Sequence, residues 1–261
     1  MYWALARLSF QRQLAYRTAN VAGLVTNLFF GALRAYVLIA LFGAREAVAG
    51  YDVRAAVTYT GITQAMLSFL AAFGWWEIIR SVRTGQVATD LSRPVDFFWY
   101  HASQDGGRAL AQLLLRGLPL IALYALAYRI AVPPTPLHWL ALPLSLALGL
   151  LISFAWRFLV NLTAFWTVDA MGIGRVASNL VLFLSGFIMP LAFFPDWAQA
   201  GLRFLPFASM VNAPVEVYLG VVQGPALVLT LLLQALWAVV LVLLSRVVLA
   251  AGVRRLVVQG G

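Results

Sequence analysis

An all-α integral membrane protein is the fold class this sequence predicts, with six transmembrane helices, an N-terminal interfacial helix and a short re-entrant outer helical segment before the last span. Three observations point there. Of 261 residues, 63% are hydrophobic and 10% charged, against roughly half and a quarter in soluble domains. Mean hydropathy is +0.89, and a soluble fold of this size cannot bury that much apolar surface in one core. The length accommodates about six or seven spans of roughly 20 residues joined by short loops. No room remains for a separate soluble domain, so residues 1–261 read as a single transmembrane domain.

Residues 1–19 carry Arg7, Arg12 and Arg17 among Trp3, Leu5, Leu8, Phe10 and Leu14, the composition of a helix lying at the membrane surface. The apolar run that follows is too long for the core of a cleaved signal peptide. Residues 20–79 hold two spans, about 20–42, interrupted by Arg34, and about 55–79, ending at the aromatic pair Trp75-Trp76. The stretch 80–108 is the longest polar segment. Residues 109–194 hold three more spans: 109–131, with Arg116 inside and Pro119 expected to kink it; 137–168, with Pro143 and Arg157; and 175–194, ending at Pro190 and Pro195. The semi-polar segment 195–224 follows, then a sixth span at 225–250 and the tail 251–261. Trp75, Trp76, Trp99, Tyr100, Trp139 and Trp166 read as interface anchors.

The charges orient the chain. All 18 basic residues are arginine and the formal net charge is +9. With the N-terminus inside, 11 arginines fall on inner segments and 4 on outer loops, and Arg34, Arg116 and Arg157 lie within spans. That asymmetry predicts both termini in the cytoplasm. Arginines dispersed between spans, rather than gathered on one polar face, argue for membrane orientation and against nucleic acid as a partner. The absence of lysine excludes a GxxxxGK[ST] phosphate loop and any Schiff-base mechanism. His101 and His138 stand 37 positions apart without a metal-ligand spacing, and there is no cysteine. The chain itself is therefore expected to hold no catalytic residues, no cofactor and no metal.

Two segments carry the functional expectation. In 80–96, Arg83 precedes Gly85, which permits a sharp turn. Thr89 or Asp90 can cap a short helix running through Leu91, and Arg93-Pro94 ends it, because proline forces its predecessor out of the helical region. A short capped helix on the cytoplasmic face is a docking element for a soluble partner; the same residues also fit an ordinary loop. In 186–207, the run from Gly186 through Pro190, Pro195 and Trp197 to Phe207 is too apolar for an aqueous loop and too broken by proline for a span. Short helices dipping into the outer leaflet satisfy both facts, as does a peripheral amphipathic cap.

Arg34 lies about 20 Å along its span and Arg157 about 18 Å from Asp169, at roughly 1.5 Å per residue. Neither reaches the inner interface easily, whereas Arg116 lies close enough to snorkel. Intramembrane charges face a bundle interior or a wet cavity. Arg34 and Arg157 are thus either candidate translocation-path residues or structural partners of Glu216, Glu77 or backbone carbonyls.

Together these features resemble the membrane subunits of ATP-binding-cassette exporters of drugs, polysaccharides and lipids. The order of Arg83, Gly85, Leu91, Arg93 and Pro94 in the inner segment, and of Pro190, Pro195 and Trp197 in the outer one, is similar to that family. The resemblance implies a permease moving an amphipathic or lipid-like substrate, paired with a second membrane subunit as a homo- or heterodimer. It also implies separate ATP-binding subunits that hold ATP and magnesium and dock at Arg83, Gly85, Asp90, Leu91, Arg93 and Pro94. Pro190, Pro195 and Trp197 would form an outer gate, and the location would be the bacterial cytoplasmic (inner) membrane. The competing readings are an ion-coupled secondary transporter, which usually needs a central carboxylate not evident here, an intramembrane enzyme using Glu46 and Asp52, and a non-catalytic membrane scaffold.

Overall fold

The computed structural model describes residues 1–43, 45–167 and 169–255. The chain order is α1 (Tyr2–Ala15), α2 (Arg17–Phe42), a two-residue antiparallel hairpin of β1 (Ala47–Val48) and β2 (Tyr51–Asp52), and α3 (Val53–Phe69). Then come α4 (Glu77–Arg83), α5 (Val87–Leu91), and α6 (Phe97–Gln112) continued by a π turn at Leu113–Gly117 into α7 (Leu118–Ala127). The remainder is α8 (Pro136–Leu162), α9 (Ala164–Thr167), α10 (Met171–Leu184), a 3-10 turn (Leu191–Phe193), α11 (Asp196–Phe204), α12 (Pro206–Met210), α13 (Asn212–Leu219) and α14 (Gly224–Val253).

Among the described residues, four helical stretches are long and apolar enough to cross a membrane: Arg17–Phe42, Phe97–Ala127, Pro136–Thr167 and Gly224–Val253. Their outer faces are studded with exposed leucine, valine and phenylalanine, as expected where lipid is the solvent. At the centre stands α3, buried from Ala56 to Leu67 on every side, including Thr58, Thr60, Thr63 and Gln64. Its hydroxyls turn back onto the helix: Thr58 Oγ1 donates to the Arg54 carbonyl at 2.7 Å and Thr60 Oγ1 to Ala56 at 3.1 Å. The threonine hydroxyls are thereby satisfied locally, which lets a threonine-rich helix occupy a core. Around α3 pack α2, the α6–α7 helix and α13, and α8 pairs with α14 along its length. α1 has no buried residue and lies along α6, where a Cβ at Gly107 would run into the Ala6 carbonyl. The N-terminal segment is thus helical and separate from α2, breaking at Tyr16.

Several predicted boundaries shift. The second predicted span ends at Phe69, not 79, because the chain turns through Ala71 (φ +50) and Gly74 (φ +102). Trp75 therefore falls beyond the helix and packs on His101 and Phe154 at centroid distances of 5.3 and 5.6 Å, a core role rather than an interface anchor. The helix of the third predicted span starts at Phe97, not 109: Asp96 caps it, its Oδ1 accepting from the Trp99 amide at 2.9 Å. Residues 97–108 of the predicted polar segment are thus the start of a long helix. A π turn at Leu113–Gly117 stands just before Pro119, where the sequence predicts a kink. α8 carries Pro143 without a break. α10 stops at Leu184, before Gly186 at φ +81. The hairpin adds a small β element to an otherwise helical chain. Of the predicted tail 251–261, residues 256–261 lie outside the described residues.

Candidate functional site

α1, α4, α5, α9 and the end of α14 share one face, here the α4–α5 face. Gly252 abuts Phe165 of α9, and Arg246 pairs with Asp96 at 3.3 Å. The hairpin and α11–α13 lie at the opposite face.

On the α4–α5 face, two short helices meet at Gly85. Its φ of +75 requires glycine, and open space surrounds the place a Cβ would take, so the demand is conformational rather than steric. The predicted cap differs. α5 starts at Val87 after Gln86 and has no side-chain cap; Thr89 and Asp90 lie within it. Asp90 instead closes the turn, accepting from Ser81 Oγ of α4 at 2.6 Å and pairing with Arg93 at 3.0 Å. Arg93 also bonds the Tyr100 hydroxyl at 2.5 Å and stacks over that ring. Val87 is buried and Leu91 packs on the main core, so Leu91 anchors the helix rather than projecting from it. Ala88, Thr89, Arg93 and Pro94 remain exposed. Arg83, 65% exposed, pairs with Asp169 at 3.5 Å.

α4 is fastened to α8 by Asn161, fully buried. Asn161 Oδ1 accepts from the Ile79 amide at 3.3 Å, and its Nδ2 donates to the carbonyls of Trp75 (2.6 Å) and Arg157 (2.7 Å). The first turn of α4 leaves amides without intrahelical partners; a side chain from another helix takes one of them. One turn earlier on α8, Arg157 meets Asp105 of α6, with Nη2–Oδ2 at 2.7 Å and Nη1–Oδ1 at 3.2 Å. Arg108 Nε shares Asp105 Oδ1 at 2.9 Å, and its two Nη atoms bond the terminal α3 carbonyls of Ser68 and Phe69 at 2.6 and 2.9 Å. One polar network thus ties α3, α4, α6 and α8 together. Arg157 is a structural partner, but of Asp105 rather than Glu216 or Glu77.

At the opposite face, Arg34 donates to the carbonyls of Phe187 and Ile188 and stacks on the Phe187 ring at 4.9 Å. The Tyr59 hydroxyl shares its proton between the Gly186 carbonyl (2.6 Å) and Asn212 Oδ1 (3.0 Å). Glycine is required at 186, because a Cβ there would come within 2.7 Å of the Tyr59 hydroxyl. Pro190 leads into the 3-10 turn and Pro195 sits at the start of α11. Trp197 is 82% exposed, and Arg203 pairs with the buried Glu216 at 3.3 Å. Pro190, Pro195 and Trp197 lie in one connected segment that Arg34 holds against α2.

Asn161 and Asp105 are the residues sequence reading missed. Asn161 is an amide inside an apolar run, a signal that could have flagged it. Asp105 stands three positions before Arg108, a helical spacing hidden by assigning it to a loop. Among the described residues no cluster of histidine, aspartate or glutamate could hold a metal ion.

A family model described as ABC-2 family transporter protein matches residues 28–260. A search of the curated proteins finds no match.

Proposed function

The chain belongs to the ABC-2 family of transporter proteins, a multi-pass membrane transport subunit, and on that premise we propose that it is the permease of an exporter driven by ATP hydrolysed on a separate subunit. In this reading α3 and α10, about 26 and 21 Å long at roughly 1.5 Å per residue, join the four long helices as spans, making six. The 3-10 turn and α11–α13 form the re-entrant outer segment, and both termini face the cytoplasm of a bacterial inner membrane. The substrate is amphipathic or lipid-like. ATP and magnesium belong to the partner subunit, and a second membrane subunit completes the dimer.

The observation that carries the reading is the fastening of α4 to α8 through Asn161. An exposed two-helix element joined to a spanning helix by buried hydrogen bonds is what a push from a soluble partner needs in order to reach the membrane. The Gly85 turn and Arg93 present that element, and an arginine desolvated at an interface can be worth several kcal/mol. An ion-coupled mechanism is less well supported: Asp105 is a buried carboxylate within a long helix, but two guanidiniums saturate it.

The test is co-purification with the ATP-binding subunit and ATPase measurement on the complex, each variant checked for normal membrane abundance. Arg93→Glu and Gly85→Val are expected to reduce partner capture. Asn161→Leu is expected to keep capture and lose substrate-stimulated ATPase activity. Full capture and full stimulation in all three variants would overturn the reading.

A further inference from the structure

A cleft of about 380 Å³ opens on the α4–α5 side between the start of α2, the end of α3 and α6. Gly23, Asn27, Ser68, Arg108, Gln112 and Arg116 line it, and among the described residues no carboxylate does. Its charge is unbalanced. Asp105 alone faces both Arg108 and Arg157, which leaves one net positive charge in that cluster. Arg116 adds a second, because its Nη atoms bond only neutral groups, Ser68 Oγ at 3.2 Å and the Ala19 carbonyl at 2.6 Å. Its buried Nε has no hydrogen-bond partner among the described residues, nor does Gln112 Oε1. The Gln112 amide is otherwise held in place, its Nε2 donating to Gln13 at 2.9 Å and Asn20 at 3.2 Å.

Asn27 is 7% exposed and makes no side-chain hydrogen bond among the described residues. The Arg116 guanidinium lies against the backbone of Gly23, in the space a Cβ would fill. The cleft sits at the level of the second and third turns of α2 and the last turn of α3, which in the proposed topology is where a bilayer passes from headgroup to hydrocarbon. Phe73, 70% exposed, supplies an apolar edge.

We propose that this cleft binds an anionic phosphate group, carried by a phospholipid of that leaflet or free in solution, with Arg116 as the principal contact and Arg108 and Asn27 beside it. Guanidinium is the side chain best matched to phosphate, by geometry and by charge. The proposal is independent of the ATP-binding partner and can be tested on this chain alone.

The experiment follows thermal unfolding of the full chain in neutral detergent by tryptophan fluorescence. The ligands are dihexanoyl phosphatidylglycerol, dihexanoyl phosphatidylcholine and inorganic phosphate. Phosphatidylglycerol is expected to raise the midpoint saturably and phosphatidylcholine to do so far less, since a ligand that binds only the folded state stabilises it by mass action. Arg116→Gln should weaken that binding by about tenfold, the scale of one charged hydrogen bond. Gly23→Ala, which drives the guanidinium from its seat, should do the same while retaining every charge. If inorganic phosphate produces the same saturable shift and competes with the lipid, the ligand is free phosphate; if it does neither, the ligand is the lipid. Equal stabilisation by the two lipids in the wild-type chain, or wild-type affinity in both variants, would overturn the proposal.

Discussion

Replacing Asp105 with asparagine removes the one carboxylate in the network joining α6 to α8. Asp105 accepts three charge-assisted bonds, two from Arg157 and one from Arg108. The side chains of Asp105 and Arg157 are 3% and 8% exposed, so the arginine cannot turn to water for compensation. Removing one partner of such a buried pair costs about 3–5 kcal/mol. Against folding stabilities of about 5–15 kcal/mol, that is a large fraction of the whole. Arg108 keeps its two α3 carbonyls, so the loss falls mainly on Arg157. The assay is unfolding in mixed micelles followed by tryptophan fluorescence, run as a double-mutant cycle with Arg157→Gln. Asp105→Asn should destabilise by about 3 kcal/mol or more, and the double variant by at least about 1 kcal/mol less than the sum of the singles, as expected for groups in direct contact. A single-variant loss below about 0.5 kcal/mol, the scale of an ordinary surface change, or strict additivity would refute the reasoning.

The remaining predictions concern topology, the outer segment and nucleotide. In sealed cells, cysteines replacing Arg83 and Arg254 should resist an impermeant thiol reagent, while cysteines at Ala49 and Ala200 should label; Ala200 is preferable to Gln199, whose side chain holds the Ala192 and Phe194 carbonyls. External labelling at position 83 would reverse the proposed orientation. Arg34→Met should release the Phe187 and Ile188 carbonyls and speed proteolytic cutting near Trp197 several-fold, with unchanged rates at α5 as the internal control. The isolated chain should show no ATP binding by equilibrium dialysis, and stoichiometric hydrolysis without a partner would contradict the division of labour.

Composition and hydropathy were enough to read the membrane class and all four long helices, because 20-residue apolar runs have few alternative explanations. Arg34 was legible as a residue needing a partner. Its partner, the carbonyl pair at Phe187 and Ile188, lies more than 150 positions away, and periodicity carries no record of such a contact. The Gly85 turn was read correctly because only a positive φ makes that glycine necessary. The Asp90 cap was not, since a capping aspartate and one bonding back to Ser81 look alike in sequence. Span boundaries failed where short-range signals compete: Ala71 is not a residue expected at φ +50, and Asp96 was outweighed by the charges that follow it. The Asp105–Arg157 pair was hidden by the same error, because a residue assigned to a loop is not sought as a buried partner.

The proposed transport cycle requires the exposed surface of α4–α5 to meet an ATP-binding subunit. The native chain has no cysteine, so a photoreactive or thiol-specific cross-linker placed on a cysteine at Thr89 reports that contact without background. In membranes containing the assembled transporter, cross-linking from Thr89 should capture the ATP-binding subunit with a yield that changes when ATP is added. A cysteine at Ala49 should capture none. Equal capture from both positions, or no capture from Thr89 while the two subunits still co-purify, would contradict the assignment of this element as the docking site.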